Sequence, residues 1–327
     1  MIFNCSHFPS SFDHLNGSHE LEVSRLRLAR CVMTVGCINW RGAKARGVYR
    51  LIHLASLVYS NVESYGPSLK LHQDFFKLDQ SEKVPISYHL GSGLTKLFAE
   101  EYLNIPWLGH VSSFKSVVSW TGSAVPSKVV LYKPKNKKNA SEPDLIGYDR
   151  SRTPHILEAK GYSSGFSGSV LQHAIDQVSQ VSNVAGKTPL TKVACFNDLA
   201  KSPFESIIVD PVVDGNEGCS INVPLHTLIE SYYRLFRGEE FSKISKNYIV
   251  GDREYKVAFL KEANIWFGVD LELLKASENI YTFNLVYDEL YDKAEREVLG
   301  DGIDFGMDGI FVADERSFGS LSSVRKI

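Results

Sequence analysis

The sequence lacks the features of a disulfide-rich, zinc-ribbon or membrane-spanning protein. Its five cysteines are odd in number and include no CxxC pair, so neither a disulfide framework nor a zinc ribbon is indicated. The N-terminus has no basic stretch followed by an apolar one, and no apolar run reaches the roughly 18 residues of a membrane span. The sequence therefore predicts a cytoplasmic protein with no membrane partner.

An excess of positive charge is also missing. The 36 lysines and arginines are outnumbered by 38 aspartates and glutamates, which gives the 327 residues a net charge of −2 at pH 7. This balance argues against a globally basic coat for nucleic acid, so any site for a polyanion must be a local patch. The length predicts one main domain with large additions, or two domains.

Apolar periodicity divides the chain into three parts. Residues 1–88 predict a helical or mixed N-terminal extension, because apolar residues recur at helical spacing between Gly and Ser breaks. Residues 89–240 alternate helical and strand-like patterns and predict the main α/β core. Residues 241–327 mix both patterns, which predicts a C-terminal α/β addition packed on the core.

The middle part carries the sharpest pattern of elements. Its helices and strands follow one another in the order helix, strands, helix, strands, which is typical of a sheet flanked by helices. The predicted elements are a helix ending near Asn104, strands at 113–120 and 127–133, strands at 144–149 and 154–161, a helix closed by Gly186 as its C-cap, and strands at 191–198 and 206–213.

Charged residues stand inside the two middle strands, where strand interiors normally disfavour them. Side chains alternate along a strand, so Glu158 and Lys160 project from one face of theirs. Asp144 begins the preceding strand, and the short RSRT turn folds that strand back beside Glu158. The sequence therefore predicts that two carboxylates and an ammonium converge on one point.

Such a cluster points to a metal ion. Two carboxylates a few ångströms apart raise each other's pKa unless a cation lies between them. Oxygen ligands at an open site suit Mg²⁺ or Mn²⁺ better than zinc. The ion would polarise a phosphate oxygen and acidify a bound water, and the lysine would stabilise the negative charge that develops. This is the chemistry of phosphodiester hydrolysis.

The spacing resembles a known nuclease motif. A Pro-Asp pair, thirteen residues and then Glu-Ala-Lys are similar to the catalytic motif of the PD-(D/E)xK nuclease superfamily. The resemblance covers residues 90–240. It implies a restriction-endonuclease-like fold, a central mixed β-sheet flanked by helices in αβββαβ order. It also implies that Asp144 and Glu158 bind Mg²⁺ or Mn²⁺ and that Lys160 positions or activates the attacking water.

Members of that superfamily often add an acid from the first helix. Glu101 continues, at the i+7 position, an apolar stripe that begins at Leu94, whereas Glu100 does not. We therefore expect Glu101 to face inward as a third metal ligand, with Glu100 turned away. A pair of solvated surface acids is the alternative, because glutamates favour exposed helices.

Many members also carry a glutamine on the helix that follows the lysine strand. Gln172 lies closest to the start of that helix, where the N-terminus favours an anion such as phosphate. We therefore expect Gln172 to contribute to the site. Gln177 and Gln180 are the other candidates on this helix, and polar surface positions are the alternative for all three.

Basic residues flank the predicted site and favour nucleic acid, above all DNA, as the partner. They could contact the phosphate backbone, although solvated loops are the more usual reason for such clusters. The residues are Lys133, Lys135, Lys137 and Lys138 before the Asp144 strand, and Arg150 and Arg152 in the turn after it.

The leading interpretation is a Mg²⁺-dependent DNA endonuclease of restriction, antiphage defence or repair, with the biological role drawn from fold-level analogy. An RNase with the same three residues is a second interpretation. A third is a catalytically silent subunit that binds nucleic acid or a partner protein through the N- or C-terminal additions. The resemblance is also compatible with a homodimer, which would cut both strands.

Overall fold

The computed structural model describes residues 1–36, 40–114, 142–212, 219–293, 302–320 and 324–326. The α-helices in this part of the chain are α1 (Arg25–Thr34), α2 (Trp40–Asn61), α3 (Gln80–Leu103), α4 (Val111–Phe114), α5 (Gly168–Ser179), α6 (Leu225–Tyr233), α7 (Glu239–Ile244), α8 (Leu271–Ala276), α9 (Ile280–Lys293) and α10 (Glu315–Ser320). No helix of the described residues is long and apolar enough to cross a bilayer.

The strands of the same part form two larger sheets and two short pairs. They are β1 (Ile2–Ser6), β2 (Gly17–Glu20), β3 (Val62–Tyr65), β4 (Ser68–Leu71), β5 (Trp107–His110), β6 (Leu145–Tyr148), β7 (Pro154–Tyr162), β8 (Val181–Val184), β9 (Lys192–Asp198), β10 (Glu205–Val209), β11 (Cys219–Ile221), β12 (Ser245–Val250), β13 (Arg253–Leu260), β14 (Ile265–Asp270), β15 (Ile303–Phe305), β16 (Ile310–Asp314) and β17 (Val324–Lys326).

The protein is a mixed α/β structure around a central mixed sheet. Within the described residues this sheet has the order β2-β1-β10-β9-β7-β6-β5. Strands β5, β6 and β7 are antiparallel neighbours, whereas β7 and β9 run parallel to each other. The parallel step needs a crossover connection, and α5 lies in it between β7 and β9.

Helices cover both faces of the central sheet. On one face, Asn197 of β9 donates a hydrogen bond to the Gly91 carbonyl of α3 at 3.1 Å. Phe196, the residue before Asn197 in β9, points to the other face, since side chains alternate along a strand. There it contacts the ring of Phe166, which precedes α5, at 5.3 Å between centroids. Helices α3 and α5 therefore flank the sheet on opposite sides.

The C-terminal strands form a second, antiparallel sheet that shares its core with the first. Its order is β15-β16-β14-β13-β12-β17 in the described residues. One cluster of buried apolar side chains includes Leu157 of β7, Leu97 of α3 and Phe267 of β14. The N-terminal residues also join the central sheet, because β1 pairs in parallel with β10. Helix α3 begins at Gln80, ahead of the predicted boundary at residue 89.

Several predicted elements are confirmed. Helix α3 ends at Leu103, and Asn104 adopts a left-handed conformation with φ of 51° as its C-cap. The two charged strands form the expected hairpin, since β6 and β7 are antiparallel with Leu145 opposite Leu157. The predicted strands that begin after residue 190 are β9 and β10.

The first strand of the core differs from its prediction. Residues 107–110 form β5, which pairs with β6 so that Trp107 lies opposite Tyr148. Residues 107–110 carry no pattern that predicts a strand, because the run is short and follows a proline. Of the predicted strand at 113–120, Ser113 and Phe114 belong to the short helix α4, and its remaining residues lie outside the described part. The predicted strand at 127–133 also lies outside it.

The helix after the lysine strand is shorter than predicted. Helix α5 ends at Ser179, and residues 181–184 form β8, which pairs in parallel with β11. Val181 and Val184 are three residues apart, a spacing that suits a helix face and also the two ends of a short strand. Gly186 has a φ of +88° in the turn after β8, so it closes a turn and is not a helix C-cap.

Candidate active site

A tight hairpin positions the predicted catalytic residues. The turn between β6 and β7 is closed by Asp149, whose Oδ1 accepts the Thr153 N–H at 2.7 Å and whose carbonyl accepts the Arg152 N–H at 2.9 Å. This turn fixes the register of the two strands. As a result, Asp144, just before β6, lies beside Glu158 on β7.

Three hydrogen bonds join the predicted catalytic residues. The Asp144 backbone N–H donates to Glu158 Oε2 at 2.7 Å, and the Lys160 ammonium donates to Glu158 Oε1. The Ala159 N–H donates to Asp144 Oδ2 at 3.3 Å. The structure thus brings Asp144, Glu158 and Lys160 to one place, at the end of the hairpin away from its turn.

The charges of this cluster are unevenly exposed. The Glu158 side chain is fully buried, whereas 22% of the Lys160 side chain is accessible to solvent. Burial and the nearby charge of Asp144 raise the pKa of Glu158 to about 7, although Lys160 opposes this shift. Since two close carboxylates disfavour each other's ionised form, a cation bound between them would relieve the repulsion.

Helix α3 packs directly against β7, the strand that carries Lys160, beside this cluster. A Cβ on Gly91 would lie 2.6 Å from the Gly161 Cα, and a Cβ on Gly161 would overlap the Ser87 carbonyl oxygen. Asn197 ties the same elements together, because its Nδ2 donates to the carbonyls of Gly91 at 3.1 Å and Lys160 at 3.3 Å. Two glycines therefore allow the helix to lie directly against the backbone next to Lys160.

The prediction that Glu101 faces inward is wrong. Glu100 is the buried acid, with 2% of its side chain exposed, and its carboxylate pairs with Arg30 at 2.8 Å and Lys96 at 2.8 Å. The Glu101 side chain is 26% exposed and pairs with Arg27 at 2.5 Å. None of these ion pairs of Glu100 and Glu101 includes Glu158. Glu101 lies ten residues after Gly91, which is about 15 Å along the helix.

The reason is that α3 is buried on more than one side. Every residue from Leu90 to Glu100 is buried, because α1 packs on the helix from the side away from the sheet. An apolar stripe identifies the inward face only when the opposite face meets water. Glu100 faces α1. Burial would raise its pKa, but Arg30 of α1 and Lys96 of α3 balance its charge and hold that pKa at about 2.

The glutamines of α5 also differ from expectation. Gln172 is exposed, and its Nε2 donates to Asp176 on the same helix at 2.9 Å. Gln177 is the buried glutamine, and its Nε2 donates to the Glu142 carbonyl at 3.0 Å, two residues before Asp144. Gln177 therefore supports the segment that carries Asp144, whereas the Gln172 amide is bonded along its own helix.

The predicted basic residues are only partly described. Lys133, Lys135, Lys137 and Lys138 lie outside the described residues. Arg152 pairs with Asp288 of α9 at 2.6 Å, with both side chains more than two-fifths exposed. Arg150 is half-buried in the turn. Both arginines lie at the turn end of the hairpin, opposite the end that carries Asp144.

Ring-bearing side chains beside the acids were not predicted. Tyr88 of α3 and His110 of β5 stack with centroids 6.1 Å apart and planes at 19°. His110 lies opposite Leu145 in the β5–β6 pair, and the Val111 N–H donates to the Asp144 carbonyl at 3.0 Å, so the stacked rings adjoin the Asp144 segment. The residues come from elements far apart in the sequence, so no motif or spacing could have connected them.

Within the described residues, the hairpin brings two carboxylates together, those of Asp144 and Glu158. In the part of the chain that the structure describes, no three His, Cys, Asp or Glu side chains form a group that could hold a metal. Comparisons of the chain with protein-family models, curated proteins and solved structures found no match.

Proposed function

We propose that the protein is a nuclease that hydrolyses phosphodiester bonds of DNA with Mg²⁺ or Mn²⁺. Asp144 and Glu158 would hold the ion, and Lys160 would position the attacking water. The proposal rests on one observation, the hydrogen-bonded convergence of these three residues at the end of the hairpin. A restriction or antiphage defence role follows from fold-level analogy.

The order of elements supports a restriction-endonuclease-like core. Helix α3 is followed by the antiparallel strands β5, β6 and β7, then by α5, and then by β9 parallel to β7. Apart from the short helix α4 and the short strand β8, this is the αβββαβ order, with Asp144 just before the second strand and Glu158 on the third. The agreement concerns topology, and function depends on the site.

The donor set fits a hard divalent cation. Both ligands are carboxylates, and Mg²⁺ commonly binds through one or two carboxylates with waters and substrate phosphate completing its coordination. The raised pKa of Glu158 means that the site favours a positive charge over a second bare negative one. When bound, the ion would polarise the phosphate and lower the pKa of a water.

The chain's own residues would orient the reaction. The Lys160 ammonium, held by Glu158 and still partly exposed, can bind a water or a phosphate oxygen and stabilise negative charge there. The N–H groups of Asp144 and Ala159 fix the two carboxylates relative to each other. Preorganisation of this kind reduces the reorganisation needed during the reaction.

A cleavage assay tests the proposal. Wild type should cut labelled DNA with Mg²⁺ or Mn²⁺ and not with EDTA, and Lys160→Ala should lower the rate by about 10²-fold or more because a charge-stabilising group is lost. Lys243→Ala removes an exposed lysine of α7 and is the matched control, which should cut normally. Equal rates for wild type and Lys160→Ala would reject the role of Lys160. Duplex DNA, single-stranded DNA and RNA substrates would identify the polymer.

A catalytically silent subunit is the second candidate. One observation favours it: both Glu158 oxygens already accept hydrogen bonds from the protein, one from Asp144 and one from Lys160. A folded protein that binds DNA but cleaves none of the three polymers with either metal would support this candidate over the nuclease.

A further inference from the structure

A partly exposed group of rings and one guanidinium lies beside the acids. It consists of Arg50 and His53 on α2, Tyr88 and His89 on α3, and His110 at the end of β5, and is called the ring face here. Tyr88 is 40% exposed, and Arg50 and His53 are exposed as well. A single exposed ring needs no explanation, but neighbouring rings beside a charged cluster form a continuous surface that a ligand can contact.

Contacts between neighbouring rings hold the ring face together. Tyr88 stacks on His110 with centroids 6.1 Å apart, and its ring lies 5.4 Å from that of His89. His89 in turn contacts His53 with centroids 6.5 Å apart. Arg50 precedes His53 by three residues, so the two lie on the same side of α2. The group is therefore continuous from α2 to β5.

The ring face extends from a cation to the acids. Burial, Asp144 and Glu158 raise the pKa of Tyr88, while Arg50 lowers it. The Tyr88 ring also stacks on His110, which lies opposite Leu145, the residue after Asp144, in the β5–β6 pair. A ligand on Tyr88 would reach Arg50 in one direction and the Asp144–Glu158 pair in the other.

The imidazole of His89 adds ring surface without adding charge. Burial, followed by the charge of Arg50, lowers the pKa of His89 to about 4, so this ring is neutral at pH 7. Arg50 supplies the fixed positive charge of the ring face. Stacking rings combined with an arginine are the groups that bind the bases and phosphates of single-stranded nucleic acid.

We propose that the ring face binds an unpaired segment of the DNA strand and leads it to Asp144 and Glu158, with a base stacked on Tyr88 and a phosphate on Arg50. This inference rests on the proposed function and adds the form of the substrate. A base inside a duplex offers no free face for stacking, so a role for Tyr88 requires an unpaired base. Duplex binding would depend on Arg50 through the phosphates and would leave Tyr88 without a role.

Binding measured without cleavage tests the ring face. Fluorescence anisotropy in EDTA would use labelled single-stranded DNA of about 20 nucleotides, longer than a typical single-strand site, and the matching duplex. Tyr88→Ala should weaken single-strand binding about tenfold, because the base loses the ring on which it stacks. Tyr88→Phe keeps the ring and should bind like wild type. Arg50→Ala should weaken binding and make it less dependent on salt.

The control is Tyr281→Ala, which removes a tyrosine that is 79% exposed on α9. It should bind like wild type, and circular dichroism should show that every variant is folded. Unchanged single-strand affinity in Tyr88→Ala would overturn the proposal. So would wild-type binding to the duplex that is as tight as binding to the single strand.

The result is independent of whether the protein cleaves DNA. If Tyr88→Ala loses single-strand binding in EDTA but wild type does not cut with Mg²⁺, the ring face stands and the nuclease proposal fails. If wild type cuts DNA and Tyr88→Ala binds and cuts equally well, the nuclease proposal stands and the ring face fails.

Discussion

Glu158 is an acid at a position where a buried strand normally holds an apolar side chain. It is fully buried, and burial together with Asp144 raises its pKa to about 7. Its neighbour Lys160 compensates only in part, so the ionised cluster is costly in the protein without a bound cation. Perturbed acids of this kind concentrate at functional sites, although structural ion pairs can produce them too.

Asp210 gives a prediction for the pH dependence of stability. It follows β10, accepts the Lys192 N–H at 2.8 Å, and has its pKa raised by burial from 3.8 to about 6. The folded state therefore binds more protons than the unfolded state between these values, so stability falls as pH rises through this window. Asp210→Asn keeps the acceptor and removes the charge.

We expect Asp210→Asn to be nearly neutral at about pH 4 and more stable than wild type at about pH 7.5, by on the order of 1–3 kcal/mol. Urea denaturation at both pH values measures this difference. The contributions of other titrating groups to the unfolding free energy cancel in this comparison, since both proteins share those groups. A difference in unfolding free energy that stays constant with pH would contradict the assignment.

The convergence of Asp144, Glu158 and Lys160 could be predicted from the sequence because its geometry is local. Alternation along one strand fixes Glu158 and Lys160, and one short turn fixes Asp144 beside them. The choice between Glu100 and Glu101 could not, because it depends on how α1 packs on α3. The same holds for Tyr88, which reaches the acids only through tertiary packing.

At the level of elements, the contact of α3 with β7 depends on two small residues. Gly161→Ala would force a Cβ against the backbone oxygen of Ser87, which cannot move without the helix. We expect this variant to lose about 1–3 kcal/mol of unfolding free energy, as in other overpacked cores. Gly168→Ala is the matched control, because its nearest neighbour would be Phe166 at 3.9 Å.

Thermal and urea denaturation of both variants test this contact. Gly168→Ala should stay within about 1 kcal/mol of wild type, since alanine suits the first turn of α5. Cleavage should also fall in Gly161→Ala, because the displaced helix adjoins Lys160. Equal stability of the two glycine variants would mean that the close approach is not needed.

Elements with a long and regular pattern were predictable, and short ones were not. The end of helix α3 and strand β7 match their sequence patterns, and β6, although only four residues long, was predictable because the turn pairs it with β7. Strands β5 and β8 contain four residues each, too few for periodicity to distinguish them from a loop or a helix end. Residues of β5 and β8 become strands because they pair with β6 and β11, respectively.

At the level of the whole molecule, a buried ionic network joins helices α1 and α3 to the C-terminal sheet. Lys96 of α3 pairs with Glu100 at 2.8 Å and with Asp308, between β15 and β16, at 3.2 Å. Arg30 of α1 pairs with Glu100 at 2.8 Å and with Asp304 of β15 at 2.5 Å. The C-terminal segment is therefore attached to α1 and α3 through charges as well as through the apolar core.

The adjacent glutamates of α3 allow a matched test of this network. Glu100→Gln should cost about 3 kcal/mol, because it removes the buried carboxylate that Arg30 and Lys96 share and leaves them with Asp304 and Asp308 alone. Glu101→Gln removes a partly exposed partner of Arg27 and should cost about 1 kcal/mol or less. Urea denaturation compares them, and equal losses would contradict the difference in burial.

Metal binding by the hairpin is the most direct measurement of the central claim. Titration calorimetry with Mn²⁺ should show binding to wild type and to Glu101→Gln, and binding at least about tenfold weaker to Asp144→Asn, because Mn²⁺ prefers carboxylate oxygen ligands. Equal affinity of wild type and Asp144→Asn for the ion, or no binding to any of the three proteins, would contradict a metal site formed by Asp144 and Glu158.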